Sequence, residues 1–237
     1  MNINTEEILD EILDKMRDIM KIRTGDFPNI DLYMDQVTTF MDEKLRYTVR
    51  KGETEEKILT KTMINNYAKN DLLPAPYKKK YNREHMMVLI FVYYFKNFLT
   101  INDVRTLLEP ITENYFGNDD ALNMVSIYEE VFRAGEDRLD LLEQDLKDKY
   151  QASGKTFQDE NLPEEEAEYL RLFSYICFLS YDIFVKKMLI ERLLDEVGDN
   201  LRQQQEAKKE EAKRKDKEKV KDKEKSKEKE KEKEGKI

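Results

Sequence analysis

One histidine and one cysteine bound the chemistry open to this chain of 237 residues. Neither a zinc site of ordinary composition nor a disulfide framework can be built from them. His85 follows Glu84 at a predicted helix start, where an imidazole can act as a base. No serine or cysteine nucleophile and no second histidine accompany it in a motif, so it reads as a structural first-turn residue. Glu164, Glu165, Glu166 and Glu168 can be taken as metal carboxylates, but they read better as the acidic first turn of a helix, favourable to its dipole. Cys177 lies mid-helix among Phe173, Phe178 and Tyr181 and reads as a buried apolar residue. Seven glycines are scattered, with no phosphate loop and no G-x-G-x-x-G. No catalytic residue, cofactor or metal is expected, and the chain does not read as an enzyme.

A different chemistry is written in residues 60–83. Thr60 is a good N-cap for a short helix to Asn70. Steps of 100° bring Met63, Ile64 and Tyr67 to one side. Thr62, Asn65, Asn66 and Lys69 then fall on the other, at i, i+3, i+4 and i+7. That outer stripe holds no carboxylate in a chain rich in them. Asparagine can bond bidentately to an adenine edge, threonine can touch a thymine methyl, and lysine can reach guanine or phosphate. Thr60 and Lys61, at the helix start, join the set. Lys78, Lys79, Lys80 and Arg83 follow, suited to phosphates. The prolines at 74 and 76 exclude helix between. Leu72–Pro74 and Lys79–Tyr81 are predicted to pair across a turn as a small wing.

The charge distribution agrees. The net charge of −9 hides 15 basic against 11 acidic residues in Glu206–Ile237, and eight against four in Ile58–Glu109. The rest of the body is strongly acidic. A basic module inside an acidic chain says more than the total. The hydrophobic share, 39%, falls below the roughly 45–50% of globular chains. The tail accounts for much of that; it has little to bury and should be disordered or a fraying charged helix. The apolar runs Met86–Phe95 and Leu172–Val185 fall short of the ~18 residues that span a bilayer. Met1–Asp10 carries acids where a secretory signal carries bases. The expectation is a cytoplasmic protein with no membrane contact.

Helices must position these residues. Asn4 and Glu7 open the first, which runs on to Met20; Thr24–Asn29 is a loop. A helix near Asp31–Val49 sets Tyr33, Val37, Phe40, Met41 and Leu45 on one side, and Lys51-Gly52-Glu53 punctuates it. Asn82 caps Arg83–Phe98, buried nearly all round. Thr100 and Asp103 open another helix, which Pro110 should end. Helices follow at Asp119–Arg133 and Glu136–Tyr150, a loop at Gly154–Pro163, and a long helix from Glu164. Its stretch Leu170–Leu194 is too apolar for a lone surface helix, so it is either the central core helix or buried in an oligomer. No strand pattern is evident outside the wing, and the fold class is all-α.

The segment Leu59–Leu108 resembles the winged helix-turn-helix of MerR-type transcription regulators. Asn70-Asp71-Leu72-Leu73-Pro74 matches the wing entry, Tyr81-Asn82-Arg83-Glu84-His85 the next helix start, and Leu99–Leu108 the last helix. The run from Leu59 to Met86 is more similar still to an uncharacterised bacterial family of MerR-like proteins. Where MerR regulators carry an arginine-tyrosine motif, this chain has Asn66-Tyr67-Ala68-Lys69. Four regions are expected. They are an N-terminal helix (1–29), the winged module (30–110), a helical dimerisation or effector region (111–205) and the charged tail (206–237). The resemblance implies double-stranded DNA as partner, a homodimer through the C-terminal helices, and an effector of unknown identity. The alternative is a helical protein-interaction module without enzymatic activity.

Overall fold

The ten residues Glu84–Tyr93 are all buried, and the other elements are arranged around them. The computed structural model describes the backbone of residues 3–20, 22–49, 58–158 and 162–234, and the side chains of these except 19, 20 and 212–234. The predicted Lys51–Glu53 punctuation lies outside the described residues. Eight α-helices and one two-stranded sheet are present among them: α1 Thr5–Met20, β1 Leu32–Tyr33, α2 Met34–Leu45, α3 Lys61–Lys69, β2 Lys80–Tyr81, α4 Arg83–Phe95, α5 Ile101–Tyr115, α6 Met124–Glu136, α7 Leu139–Gly154 and α8 Glu164–Glu234. The fold is all-α, with a long C-terminal helix. No helix of the described residues is long and apolar enough to cross a membrane.

The central helix is α4. It packs against α2, α6 and β2. Phe91 meets Tyr128 and Phe132 of α6 edge-on or tilted, at 5.6 and 5.9 Å, while Tyr128 and Phe132 stack at 4.2 Å. Such ring pairs add about 0.5–1.5 kcal/mol beyond the area they bury. Burial of Tyr128 is tolerable because its hydroxyl donates to the Ile22 carbonyl at 3.2 Å. The α5 helix opens as expected: Thr100 Oγ1 accepts from the Asp103 N–H at 3.2 Å, and the Asp103 carboxylate accepts from the Thr100 N–H at 3.1 Å. Thr100→Ala should cost about 1 kcal/mol in urea unfolding, with an unchanged denaturant slope.

Several expectations are corrected. Pro110 does not end α5 but sits inside it. Val104 and Leu108 are buried and hold the preceding turns, and Asn114 Nδ2 bonds the Pro110 carbonyl at 2.6 Å beyond the break. Helix α6 starts at Met124, not Asp119, because short polar side chains capture the intervening backbone. Asn118 Oδ1 accepts from the Asp120 N–H at 2.6 Å, and Asn123 caps the helix through the Ser126 N–H at 3.0 Å. The predicted helix Asp31–Val49 is shorter. Its first residues form β1, which turns Tyr33 outward instead of into the core, and its end tightens into a 3₁₀ turn at Arg46–Thr48. The stretch Leu170–Leu194 is not the central core helix, since α4 takes that place. Cys177 is only half-buried.

The chain divides into two compact units, Met1–Glu191 and Arg192–Ile237. The first contains α1–α7 and the start of α8. The second is helical through Glu234, so the charged tail takes the helical of its two expected forms.

Candidate nucleic-acid interface

Helix α3 owes its orientation to two buried side chains, Ile64 and Tyr67. Thr60 caps it, accepting from the Met63 N–H at 3.2 Å. Its exit is tight. The Leu72 N–H reaches back to the Tyr67 carbonyl at 2.9 Å while Asp71 adopts φ +57°. Leu72 and Leu73 then bury, anchoring the following turn to the core. Aspartate is among the few residues that tolerate this left-handed conformation. Its carboxylate pairs with Arg105 at 3.4 Å, so the acid beside α3 is neutralised.

Thr62, Asn65, Asn66 and Lys69 all lie on the exposed side of α3. Among the described residues, none of these four side chains has a hydrogen-bond or ion-pair partner. A row of unoccupied donors and acceptors on a rigid helix can address a ligand's edge without first breaking internal bonds. The other two residues assigned to this helix differ. The Thr60 hydroxyl is spent on its cap, and Lys61 is ion-paired with Asp35 at the start of α2.

The basic turn is not the predicted wing. Leu72–Pro74 does not pair with Lys79–Tyr81, because Leu72 and Leu73 are drawn into the core. Strand β2 pairs instead with β1, antiparallel, with Leu32 opposite Tyr81 and Tyr33 opposite Lys80. The reversal is the tight turn Tyr77–Lys80, closed by the Lys80 N–H on the Tyr77 carbonyl at 2.9 Å. Both central residues are left-handed, Lys78 at φ +49° and Lys79 at φ +64°. This is the pattern of a type I′ turn, which strongly prefers Asn-Gly. Two lysines there cost roughly 1–2 kcal/mol each.

Two residues emerge that the sequence reading missed. Tyr33 and Tyr77 are 55% and 72% exposed, and each carries a lysine over its ring. Lys80 Nζ lies 5.2 Å from the Tyr33 centroid, and Lys78 Nζ lies 5.1 Å from that of Tyr77. Tyr77 was legible as the neighbour of Lys78. Tyr33 was not, because it joins the turn through a strand pair spanning nearly fifty residues. Arg83 is exposed but lines a separate polar cleft with Asp31, Glu84 and Asp119. Glu84 itself accepts the Gly117 N–H at 2.6 Å, and Gly117 has φ +66°, a conformation suited to glycine.

His85 supports the turn from behind. Its ring is 4% exposed and lies edge-on to Tyr81 at 5.3 Å and to Phe116 at 4.7 Å. Asn82 Oδ1 accepts from the His85 N–H, and His85 Nδ1 accepts from the Asn82 N–H, both at 3.1 Å. Burial pushes the imidazole pKa down to about 4, against the opposing pull of the Ala75 and Pro74 backbone and the Asp31 carboxylate. The ring is neutral at pH 7 and packs as a structural first-turn residue.

Elsewhere in the first unit, a cleft of about 630 Å³ lies between α1, α7 and α8, with Glu6, Asp10, Lys147, Tyr150 and Arg171 on its walls. Among the described residues, no three His, Cys, Asp or Glu side chains are grouped to hold a metal ion.

Residues 22–131 match the model of a family described as a domain of unknown function, DUF1836. The matched region runs from just before the Thr24–Asp26 turn into α6, and it contains α3, the lysine turn and the central helix α4. It is wider than the 30–110 module expected from sequence. Phe27 and Tyr128, which lie outside that narrower span, pack edge-on at 5.4 Å. No curated protein and no solved structure matches the chain.

Proposed function

We propose that the chain is a DNA-binding transcription regulator of MerR-like winged helix-turn-helix type, acting in the cytoplasm as a dimer joined by its C-terminal helices. The α3 face would enter the major groove, with Thr62, Asn65, Asn66 and Lys69 at base edges. The lysine turn would lie along the phosphate backbone, Lys79 and Lys78 foremost. One observation carries the reading: an exposed, carboxylate-free stripe on α3, whose first residue Lys61 pairs with Asp35 two positions after the β1 strand, is joined through that strand to a turn that keeps two lysines in a conformation they disfavour. Backbone strain of this kind is retained where the residue is needed for something other than stability.

The test is selection of genomic fragments with the purified chain, followed by titration at several salt concentrations. About four phosphate contacts per module give a slope of about −3.6 in log affinity against log salt. Replacing Lys78 with Asn and Lys79 with Gly should weaken binding to all duplexes alike and bring the slope up by about 1.8. The same double variant should stabilise the fold by about 1 kcal/mol or more, since Asn-Gly suits the turn. Asn65→Ala should instead relax preference at one base pair, at about 1–3 kcal/mol. Absence of binding to any duplex, or binding indifferent to salt, overturns the proposal in favour of a protein-interaction module.

A further inference from the structure

The face of α8 that packs on the body and the face that is most regularly apolar are not the same. Ala167, Ser174, Tyr175 and Asp182 look inward. The Tyr175 hydroxyl donates to the Leu146 carbonyl at 3.3 Å, its ring meets Tyr150 at 5.4 Å, and Asp182 pairs with Lys149 at 2.9 Å. Turned about 180° from these lies a second row, Tyr169, Phe173, Ile176, Ser180, Ile183, Lys187 and Ile190. Its spacing alternates four and three residues over three heptads, the repeat of a helix that meets another helix along its length. Tyr169, Phe173, Ile176 and Ile183 are each more than half exposed. Ser180 does not interrupt the row, because its hydroxyl is bonded to the Ile176 carbonyl at 2.7 Å. Monomeric proteins rarely leave an apolar strip of this length in water.

We propose that this row is a seam that joins two copies of the chain, α8 against α8, parallel and in register. The flanking positions select the occupant and its direction. A parallel in-register pair sets each residue before a Phe173-type position against the one five residues further along its partner. That places Leu172 with Cys177, Leu179 with Phe184, and Lys186 with Glu191: two apolar contacts and one opposite-charge pair, each made twice by symmetry. An antiparallel pair sets like flanking positions against each other and never brings Lys186 to Glu191. Lys187 is the one charge within the row. A single lysine at such a position disfavours slipped registers, and Glu191, at 3.7 Å in its own helix, partly neutralises it.

The seam deepens the dimer of the proposed regulator, but its test needs no DNA, so the two can fail separately. Light scattering on the full chain should give a dimer. Ile176→Asp with Ile183→Asp should raise its dissociation constant about 100-fold or more, since both carboxylates would be buried unpaired. Both sites are exposed in the single chain, so circular dichroism should show the helix content retained. Lys186→Glu should weaken the dimer and Lys186→Glu with Glu191→Lys should restore it. On a Cys177→Ser background, Tyr169→Cys and Ile183→Cys, made separately, should each cross-link to its own copy on mild oxidation, whereas an antiparallel pair can bring at most one of these two positions against itself. A monomeric chain, a dimer that survives the two aspartates, or a cross-link missing at position 169 or 183 overturns the proposal. A dimer that passes these tests but binds no DNA keeps the seam and removes the regulator.

Discussion

Leu89→Ala should lower the free energy of unfolding by about 2–5 kcal/mol, the range for emptying a closed core site around a leucine. Leu89 is fully buried at the middle of α4, with buried neighbours on every side of the helix. The same substitution at Leu141 of α7, which is 58% exposed, should change stability by less than about 0.5 kcal/mol. Urea unfolding of both variants at one protein concentration measures the contrast. Equal effects at the two sites would mean that α4 is not the central helix. The uninterrupted run of ten buried residues in α4 is one that only a helix enclosed by other elements can have.

Acidification should reveal His85. The unfolded chain takes up a proton at this imidazole near its ordinary value of 6.5, whereas the folded chain refuses it until about 4. Between those values the unfolded state holds more protons, so stability rises with pH across the window and is lost as pH falls from 6.5 towards 4. The full loss is about 3 kcal/mol. The cause is desolvation: the charged ring would sit against Tyr81 and Phe116 without water. Glutamine at this third helical position can accept the Asn82 N–H. His85→Gln should therefore keep the cap and flatten the stability profile between pH 4 and 6.5. A slope unchanged by that substitution would place the titrating group elsewhere. Asp26, held below its ordinary value chiefly by the Arg23 N–H, acts in a more acidic window and does not confuse the reading.

Much of the candidate interface was legible in the sequence, and for a local reason. The cap at Thr60, the buried pair Ile64 and Tyr67, and the polar stripe opposite them all follow from residues within two helical turns of one another. So do the caps at Asn82 and Thr100 and the all-round burial of α4. The errors fall where a local signal was outweighed. Proline at 110 ordinarily ends a helix, but buried Val104 and Leu108 hold α5 through it. Asp119 looked like a helix start, yet Asn118 and Asn123 bind that backbone first. Leu72 and Leu73 have the pattern of a strand, but the core takes them.

What the amino-acid order determined by itself was the existence of the helices, the caps at Thr60, Asn82 and Thr100, and which side of α3 is polar. These depend on periodicity and on hydrogen bonds reaching three or four residues. Only the tertiary structure decided that Lys80 pairs with Tyr33, that Lys78 and Lys79 are held left-handed, and that the heptad row of α8 faces away from α7. Each of these depends on which distant segment the core brings alongside, a choice made by shape and burial across the whole unit. A strand two residues long has no periodicity to read. An apolar helix looks the same in sequence whether its neighbours cover it or leave it for a second copy.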